Sequence, residues 1–357
     1  MRVLGFDVGG ANTKAALVET ENRMVKELKT CMKYFPIWKM GRDALPEVLR
    51  ELACRLVQKG SLDCLAVTMT AELSDAYQTK REGVNHILDC VAAVFPSLPV
   101  QVLTVEAQLV TVDEARRSPL QVASANWAAT GWMASRLFSN CIVVDVGSTS
   151  TSIVPVVDGK TAAEGKTDME KLACGELVYT GALRTNVAAI VSHIPFRGRM
   201  LRVSSELFAQ SGDVHLVLGN IGMAEYTVDT ADGRGKTGLE AMARLARVIC
   251  ADIEMLSQDE IRDMARYIYE RQVEQIAQAL MQVYLRVKRK VKGNVPILVT
   301  GIGARFLGRR AAEQIGAMDV VDLAGKLGPD AAAMTPSVGV ALMAAEKLEG
   351  GVRWRLW

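Results

Sequence analysis

Two short segments of the chain follow a hydrophobic run with an aspartate and a turn of small residues. The first is Asp7-Val8-Gly9-Gly10-Ala11-Asn12-Thr13-Lys14, and the second is Asp145-Val146-Gly147-Ser148-Thr149-Ser150. A glycine turn at the end of a strand exposes backbone N–H groups, and such turns commonly bind phosphate. One such segment is weak evidence, because glycine turns join strands in many proteins. The presence of two predicts a site that binds a diphosphate or a longer polyphosphate from both sides.

The aspartates of these segments predict a metal ion. Asp7 and Asp145 would repel a phosphate group that they touched, so a cation is needed between carboxylate and phosphate. Magnesium keeps several of its waters and is commonly held by one or two carboxylates together with phosphate oxygens of the substrate. We therefore expect Asp7 and Asp145 to bind Mg²⁺ between two facing turns.

A third segment, Val299-Thr300-Gly301-Ile302-Gly303-Ala304, leads from a strand through small residues into a helix. Glycines at such a junction let a ligand lie against the backbone, so Thr300, Gly301 and Gly303 are candidates for a substrate or nucleotide pocket. Close packing of the helix on the strand requires glycine equally well. The sequence alone leaves both interpretations open.

The strand and helix patterns around these segments alternate, which predicts an α/β fold. Hydrophobic runs at Val3–Val8 and Thr13–Val18 predict a first hairpin, and those at Cys141–Val146 and Thr151–Val157 a second. Further strands are predicted at residues 64–69, 100–104, 176–180, 187–193 and 296–300, and helices at 43–59, 84–94, 122–137, 238–251, from Ser257 to Gly293, at 304–315 and at 336–348.

The two hairpins begin two equivalent halves of the chain. We therefore predict a first domain at residues 1–140 and a second at residues 141–332. Because the second half is complete before the last predicted helix, a helix at about 333–352 is expected to pack back on the first domain.

The composition excludes several classes of protein. The chain has 357 residues, of which 50% are hydrophobic and 23% charged, as in ordinary globular proteins. Lysines and arginines number 42 against 40 aspartates and glutamates, so no nucleic-acid partner is expected. Seven dispersed cysteines and three histidines support neither a disulfide framework nor a zinc site, and the histidines receive no role.

The same inspection predicts where the protein is located. The first residues form a strand rather than a signal peptide, and no uncharged window is apolar enough to cross a membrane. We expect a cytoplasmic protein. Whether it forms a homo-oligomer is left open.

The order of the three segments resembles that of the superfamily of sugar kinases, heat-shock chaperone ATPases and actin. This resemblance implies two duplicated ribonuclease-H-like domains of the actin type, with a cleft between them. Nearly the whole chain also resembles the hydantoinase/oxoprolinase-like proteins linked to tetrahydromethanopterin-dependent one-carbon transfer. The runs that carry this second resemblance are VTMTAELSDAY (67–77), ASANWAATG (123–131), GELVYTGALRTNV (175–187), HLVLGNI (215–221) and YTVDTADGRGKT (226–237).

The family resemblance implies a transferase of methanofuran biosynthesis. It would join an aminomethylfuran methyl diphosphate to the phenol of γ-glutamyltyramine and release pyrophosphate. A metal ion and N–H donors would assist by taking up the charge of the departing diphosphate. No ATP is needed for this reaction. In agreement, Ile302 separates Gly301 from Gly303, whereas the superfamily's adenosine turn has adjacent glycines.

The implied phenol has an ordinary pKa of about 10, so a general base should assist it. Glu72 and Asp75 are the candidates, and their spacing would place both on one face if the segment is helical. Capping of the following segment explains these two residues equally well. Asn126 and Trp127 begin a predicted helix in the cleft region, where Trp127 would either stack on an aromatic acceptor or belong to the core.

Four basic residues are candidate partners of the diphosphate: Lys14, Arg184, Arg234 and Lys236. Lys14 is the strongest of them because it lies in the first turn itself. Two other functions share the same turns. One is an ATP-dependent small-molecule kinase or a hydantoinase-type ATPase component, and the other is a nucleotide-gated scaffold of the actin type.

Overall fold

The computed structural model describes residues 1–353, in which strands and helices alternate as expected. The strands are β1 Arg2–Val8, β2 Asn12–Glu21, β3 Met24–Tyr34, β4 Cys64–Met69, β5 Val100–Leu103, β6 Leu109–Thr111, β7 Cys141–Val146, β8 Thr151–Val157, β9 Lys160–Thr161, β10 Leu177–Val178, β11 His193–Phe196, β12 Arg199–Arg202, β13 Ile297–Thr300 and β14 Val320–Asp322.

The α-helices are joined by short connections, some of them single 3₁₀ turns. They are α1 Ile37–Met40, α2 Leu45–Leu56, α3 Lys80–Val94, α4 Val112–Arg117, α5 Asn126–Ser135, α6 Asp168–Ala173, α7 Val187–Ile190, α8 Ser211–Val217, α9 Gly238–Arg247, α10 Gln258–Lys290, α11 Arg309–Gln314, α12 Ala324–Leu327, α13 Pro329–Ala332 and α14 Thr335–Glu349.

The first sheet has the strand order β3-β2-β1-β4-β5-β6. Strand β1 pairs antiparallel with β2 and parallel with β4, so it lies in the interior of the sheet. Every residue from Val3 to Val8 is buried, which explains the continuous hydrophobic run of this strand. The antiparallel register places Asp7 directly opposite Lys14, across the first turn.

The second sheet repeats this arrangement. Its strand order is β10-β8-β7-β13-β14, with β9 also paired to β8. In both sheets, the second strand of the hairpin and one further strand lie on one side of the initial strand. On the other side lie β4, β5 and β6 in the first sheet, and β13 and β14 in the second. The duplication expected from the two hairpins is therefore confirmed in the order of the strands.

The chain divides into two compact units. The first comprises Met1–Val143, Val154–Ala173 and the segment from Asp322 onward, and the second comprises Val144–Ile153 and Cys174–Val321. Helix α14 belongs to the first unit and lies directly on β1. A β-carbon at Gly5 would stand 2.4 Å from the carbonyl oxygen of Ser337. Glycine at this position therefore allows the helix and the strand to approach closely.

The long helix α10 begins as its sequence predicts. The hydroxyl of Ser257 accepts a hydrogen bond from the backbone N–H of Glu260, and the carboxylate of Glu260 accepts one from the N–H of Ser257. This reciprocal cap satisfies two N–H groups that have no partner inside the helix.

Two predictions from the sequence are wrong, one in the second unit and one at the start of α5. Residues 187–193, expected as a strand, form helix α7 and only then enter β11. The side chain of Asn186 accepts a bond from the N–H of Ala188 and caps this short helix. Helix α5 begins at Asn126 rather than Val122, because a separate 3₁₀ turn precedes it.

None of the helices within residues 1–353 is long and apolar enough to cross a membrane.

Candidate active site

The first turn connects β1 to β2 and is held by its own backbone. The N–H of Gly9 donates to the carbonyl oxygen of Asn12 over 3.0 Å. The carbonyls of Gly10 and Ala11 accept bonds from the N–H groups of Ile37 and Phe35. The amides of Gly10 and Ala11, by contrast, donate to no group within residues 1–353. The turn therefore keeps two fixed N–H donors for a ligand.

Asp7 ends β1 beside this turn and is 3% exposed. The ammonium nitrogen of Lys14 lies 3.7 Å from a carboxylate oxygen of Asp7. The first turn thus holds a buried carboxylate and a cation next to two N–H donors. This combination suits a ligand that carries both a metal ion and anionic oxygens.

The loop after β4 lies against the first turn. The N–H of Thr70 donates to the carbonyl of Val8 over 2.9 Å, and a β-carbon at Gly10 would stand 3.8 Å from Cβ of Ser74. Glu72 is in the 3₁₀ turn between them and is 1% exposed. Burial raises the pKa of its carboxyl group, a perturbation typical of acid–base residues.

Asp75 does not share a helix face with Glu72. The 3₁₀ turn ends at Leu73, and the backbone of Ser74 is extended. Asp75 is exposed, while Glu72 points into the first unit. Of the two candidate bases, the structure gives only Glu72 the surroundings of a perturbed acid–base group.

The second turn, between β7 and β8, repeats the first. The N–H of Gly147 donates to the carbonyl oxygen of Ser150 over 3.0 Å, as Gly9 does to Asn12. In the part of the chain that the structure describes, the amides of Thr149 and Ser150 donate to no other group. Asp145 precedes this turn on β7 and is half-buried. The two predicted phosphate turns therefore have the same local geometry.

The segment after β10 lies on the second turn. The N–H of Ala182 donates to the carbonyl of Gly147, and those of Leu183 and Arg184 donate to the carbonyl of Ser148. The guanidinium of Arg184 donates to the hydroxyl of Thr149 over 3.1 Å. Arg184 thus brings a cation to the second turn.

The third predicted segment lies at the same place in the second unit. The N–H of Gly303 donates to the carbonyl of Val146 over 3.0 Å. Gly301 has a positive φ of 86°, and a β-carbon there would stand 2.6 Å from a carboxylate oxygen of Asp145. Thr300 is buried at the end of β13. The structure therefore brings Thr300, Gly301 and Gly303 to the end of β7, beside Asp145.

A buried hydrogen-bond chain supports the second turn, and no motif in the sequence predicts it. The side-chain amide of Gln272 donates to the carbonyl of Gly181 over 2.8 Å and to the hydroxyl of Thr180 over 2.9 Å. Its oxygen is 3.0 Å from Nε2 of His215, which must therefore be the donor. Nδ1 of His215 accepts from the amide of Asn220, and burial lowers the pKa of the imidazole to about 3.

Trp127 lies in the core of the first unit. It is 3% exposed, and the ammonium of Lys171 stands 3.9 Å from the centre of its ring. The ring is buried and a cation covers one of its faces, so the structure favours the core interpretation of Trp127 over stacking on an aromatic acceptor. Asn126, its neighbour in α5, is half-buried.

The two remaining basic candidates contact a different region. Arg234 and Lys236 belong to the loop before α9, where the carbonyl of Arg234 accepts from Thr230 and Lys236 stands over the ring of Tyr226. No bond joins either side chain to the second turn among the residues described.

The candidate metal ligands are one carboxylate in each unit. Residues 1–353 contain no group of three or more histidine, cysteine, aspartate or glutamate side chains placed to hold a metal. A single carboxylate, such as Asp7 or Asp145, would therefore supply only a minor share of the ligands of a metal ion. Such a donor set suits Mg²⁺, which takes most of its ligands from water and phosphate oxygens.

The chain is similar to known proteins over most of its length. The profile of the hydantoinase/oxoprolinase family matches residues 63–347. The chain is 36% identical to the (4-{4-[2-(gamma-L-glutamylamino)ethyl]phenoxymethyl}furan-2-yl)methanamine synthase of Methanocaldococcus jannaschii, over 97% of this chain and 98% of that protein. It is 33% identical to the synthase of the same name from Methanococcus vannielii, over 61% of this chain and 96% of that protein.

A solved structure shows the same fold. The nucleotide-free structure of acetone carboxylase superposes with a TM-score of 0.56 at 11% identity, over 96% of this chain and 70% of that one. The α/β fold with two similar sheets, expected from the sequence, is confirmed.

Proposed function

Because this chain belongs to the hydantoinase/oxoprolinase family, we propose that it catalyses the reaction for which its two curated relatives are named. The product would be (4-{4-[2-(gamma-L-glutamylamino)ethyl]phenoxymethyl}furan-2-yl)methanamine, formed during methanofuran biosynthesis. The observation that carries this proposal is the 36% identity along 97% of the chain and 98% of the relative.

The name of the product defines the bond that must form. Its phenoxymethyl group is an ether between a phenol oxygen and the methylene carbon on a furan ring. One substrate is therefore γ-glutamyltyramine, which supplies the phenol. The other is an aminomethylfuran whose methyl carbon carries a leaving group, and we take this group to be a diphosphate. The two turns support that choice, because each offers fixed amide donors beside an aspartate.

In the proposed reaction, the bond between the methylene carbon and the diphosphate breaks, and its electron pair leaves with the diphosphate. The furan oxygen stabilises the positive charge that develops on the carbon. The turn amides, Lys14 and Arg184 would bind the negative charge that develops on the leaving group. When bound at Asp7 and Asp145, Mg²⁺ would supply further neutralisation of that charge.

The phenol oxygen then bonds to the methylene carbon and loses its proton. We assign the uptake of this proton to Glu72, the buried carboxyl group beside the first turn. A carboxylate whose pKa is raised is a stronger proton acceptor than an ordinary one, which makes it suitable as a general base. Asp75, by contrast, is exposed.

The decisive experiment measures pyrophosphate release and ether formation together. Purified protein is mixed with the furanylmethyl diphosphate and γ-glutamyltyramine, with and without Mg²⁺ and ATP. We expect one pyrophosphate per ether, dependent on Mg²⁺ and unaffected by ATP. Hydrolysis of ATP that the phenol stimulates, without ether formation, would instead support an ATP-dependent kinase or ATPase. We further propose a cytoplasmic location, since both substrates are small polar metabolites.

A further inference from the structure

Four side chains from separate parts of the chain meet around Ser124 in the first unit. We call Glu72, Lys80, Ser124 and Asp168 the Ser124 cluster. The hydroxyl oxygen of Ser124 is 2.8 Å from Oε1 of Glu72 and 2.7 Å from Oδ2 of Asp168. The ammonium of Lys80 is 2.8 Å from the same oxygen of Asp168 and 3.2 Å from the hydroxyl of Ser124.

These distances require one more proton than two ionised carboxylates allow. A serine hydroxyl has a single hydrogen, so it can donate to only one of the two carboxyl oxygens. If both carboxyl groups were ionised, the other contact would place lone pairs of two oxygens against each other at hydrogen-bond distance. A proton must therefore reside on either Glu72 or Asp168.

The surroundings assign this proton to Glu72. Asp168 forms an ion pair with Lys80, and its side chain is 21% exposed, so its charge is compensated. Glu72 is 1% exposed, and its second oxygen, Oε2, has no hydrogen-bond partner within residues 1–353. An ionised carboxylate in such a place would be uncompensated and costly, whereas a carboxylic acid can donate to Ser124.

The backbone at Ser124 is strained, which supports a specific role for the hydroxyl. Ser124 has a φ of 52°, in the left-handed region that is unfavourable for residues other than glycine. Glycine would adopt this conformation without strain but would lack the hydroxyl. The chain therefore holds an oxygen between the two carboxyl groups at an energetic cost.

We propose that Glu72 is a carboxylic acid in the resting protein and that Ser124 links it to Asp168 as a proton relay. In the relay, Glu72 gives its proton to the oxygen of Ser124 while Ser124 gives its own proton to Asp168. Glu72 becomes a carboxylate, Asp168 becomes an acid, and the total charge is unchanged. The relay rests on the proposed function for its purpose: it leaves Glu72 ready to accept the proton of the phenol.

The proton relay leads from the buried Glu72 to the side of the Ser124 cluster that solvent reaches. The side chains of Asp168 and Lys80 are 21% and 25% exposed, whereas Glu72 is fully enclosed. The ionisable groups that face Glu72 are Lys80, Asp168 and the hydroxyl of Tyr77. Asp168 and Lys80 thus give a buried proton a path to solvent.

Infrared spectroscopy tests the resting state without any substrate. At pH 7, the wild-type protein should show the carbonyl stretch of one buried carboxylic acid. Labelling with ¹³C-glutamate should shift this band, and labelling with ¹³C-aspartate should not. The variant Glu72→Gln should lack the band, while Glu82→Gln, which alters an exposed carboxylate paired with Arg42, should retain it. Absence of the band, or its shift on aspartate labelling, would overturn the proposal.

The relay itself is tested with Ser124→Gly, which removes the hydroxyl and also relieves the strain. We expect this variant to fold, to keep the acid band at a shifted position, and to form ether about tenfold more slowly. Its rate should recover as the pH rises toward the pKa of the phenol. An unchanged rate would refute the relay. If wild-type protein forms no ether, the proposed function fails, but the infrared result still decides the protonation of Glu72.

Discussion

Gly83 lies against Glu72 so closely that a β-carbon at Gly83 would stand 2.5 Å from Cα of Glu72 and 2.6 Å from its Cβ. Gly83 lies near the amino-terminal end of helix α3, which begins with Lys80 of the Ser124 cluster. Helix α3 therefore positions Glu72 by direct contact and supplies the cation that neutralises Asp168.

Gly83→Ala should displace Glu72. We expect the rate of ether formation to fall about 10²-fold, because a shift of about 1 Å in a reacting group costs that much. The free energy of unfolding should fall by about 1–3 kcal/mol through overpacking. Chemical denaturation and the coupled pyrophosphate assay measure the two effects. Gly325→Ala in α12, where a β-carbon meets nothing within 4 Å, is the matched control and should retain activity.

Asp7→Asn and Asp145→Asn should each lower turnover on the order of 10²-fold, because each removes negative charge from the proposed metal site. Titration with Mg²⁺ should show a weaker apparent affinity, while the melting temperature stays near that of the wild type. Asp263→Asn, at a side chain that is 72% exposed on α10, provides a charge-matched control. Turnover at the wild-type rate in either site variant would remove that residue from the proposal.

Arg184→Met should weaken binding of the diphosphate group. The guanidinium of Arg184 reaches the second turn at Thr149, so its loss should raise both the KM for the furan substrate and the inhibition constant of pyrophosphate. We expect a change of about tenfold, equivalent to about 1.4 kcal/mol. Arg202→Met, at an exposed position in β12, should leave both constants unchanged. Equal constants in the two variants would argue against a role for Arg184.

His215 should make the second unit sensitive to acid. Its pKa is about 3 in the folded protein, below the ordinary value of about 6.5. As the pH falls below 6.5, the unfolded chain binds a proton that the folded chain cannot. The free energy of unfolding then falls by about 1.4 kcal/mol per pH unit. Between pH 7.5 and 5.0, urea denaturation should show a loss that is smaller in His215→Gln by about 2 kcal/mol. Identical losses would show that His215 is not buried in its neutral form.

Gly301→Ala should lower the free energy of unfolding in two ways, through backbone strain at a positive φ and through crowding of the new β-carbon. Comparison with Gly316→Ala separates the two effects. The positive φ alone costs about 1–2 kcal/mol, and crowding against the carbonyl of Val146, 2.4 Å from the new β-carbon, should add about 1–3 kcal/mol. Gly316→Ala has a similar φ of 79° and open space, so it measures the first effect alone. Equal losses of stability in the two variants would mean that the segment does not press on β7.

The local features of the fold could be predicted from the sequence. The strands at Val3–Val8 and Cys141–Val146 are buried runs that end at turns, and both conditions are visible in consecutive residues. The cap of α10 is likewise contained within four residues, Ser257 to Glu260. The short apolar stretch at 187–193 predicts a strand but forms a helix, because a helix and a strand of this length have the same hydrophobic pattern.

The Ser124 cluster could not have been predicted in this way. Its four members lie on separate elements, and none has a neighbour in sequence that indicates its contacts. Lys80 and Asp168 are each the first residue of a helix, where charged residues are common. Only the folded chain shows that they contact each other. The role of His215 cannot be predicted from the sequence either, because its partner Gln272 lies on a different helix.

Helix α14 packs closely on Gly5 of β1, and this contact has a consequence for folding during synthesis. Strand β1 is synthesised long before α14, the helix that covers it, because most of both units lies between them in the chain. Throughout translation, one face of the earliest sheet stays open to other hydrophobic surfaces in the cell. The amino-terminal unit therefore matures after the carboxy-terminal one, and chains that stop before α14 expose an aggregation-prone surface.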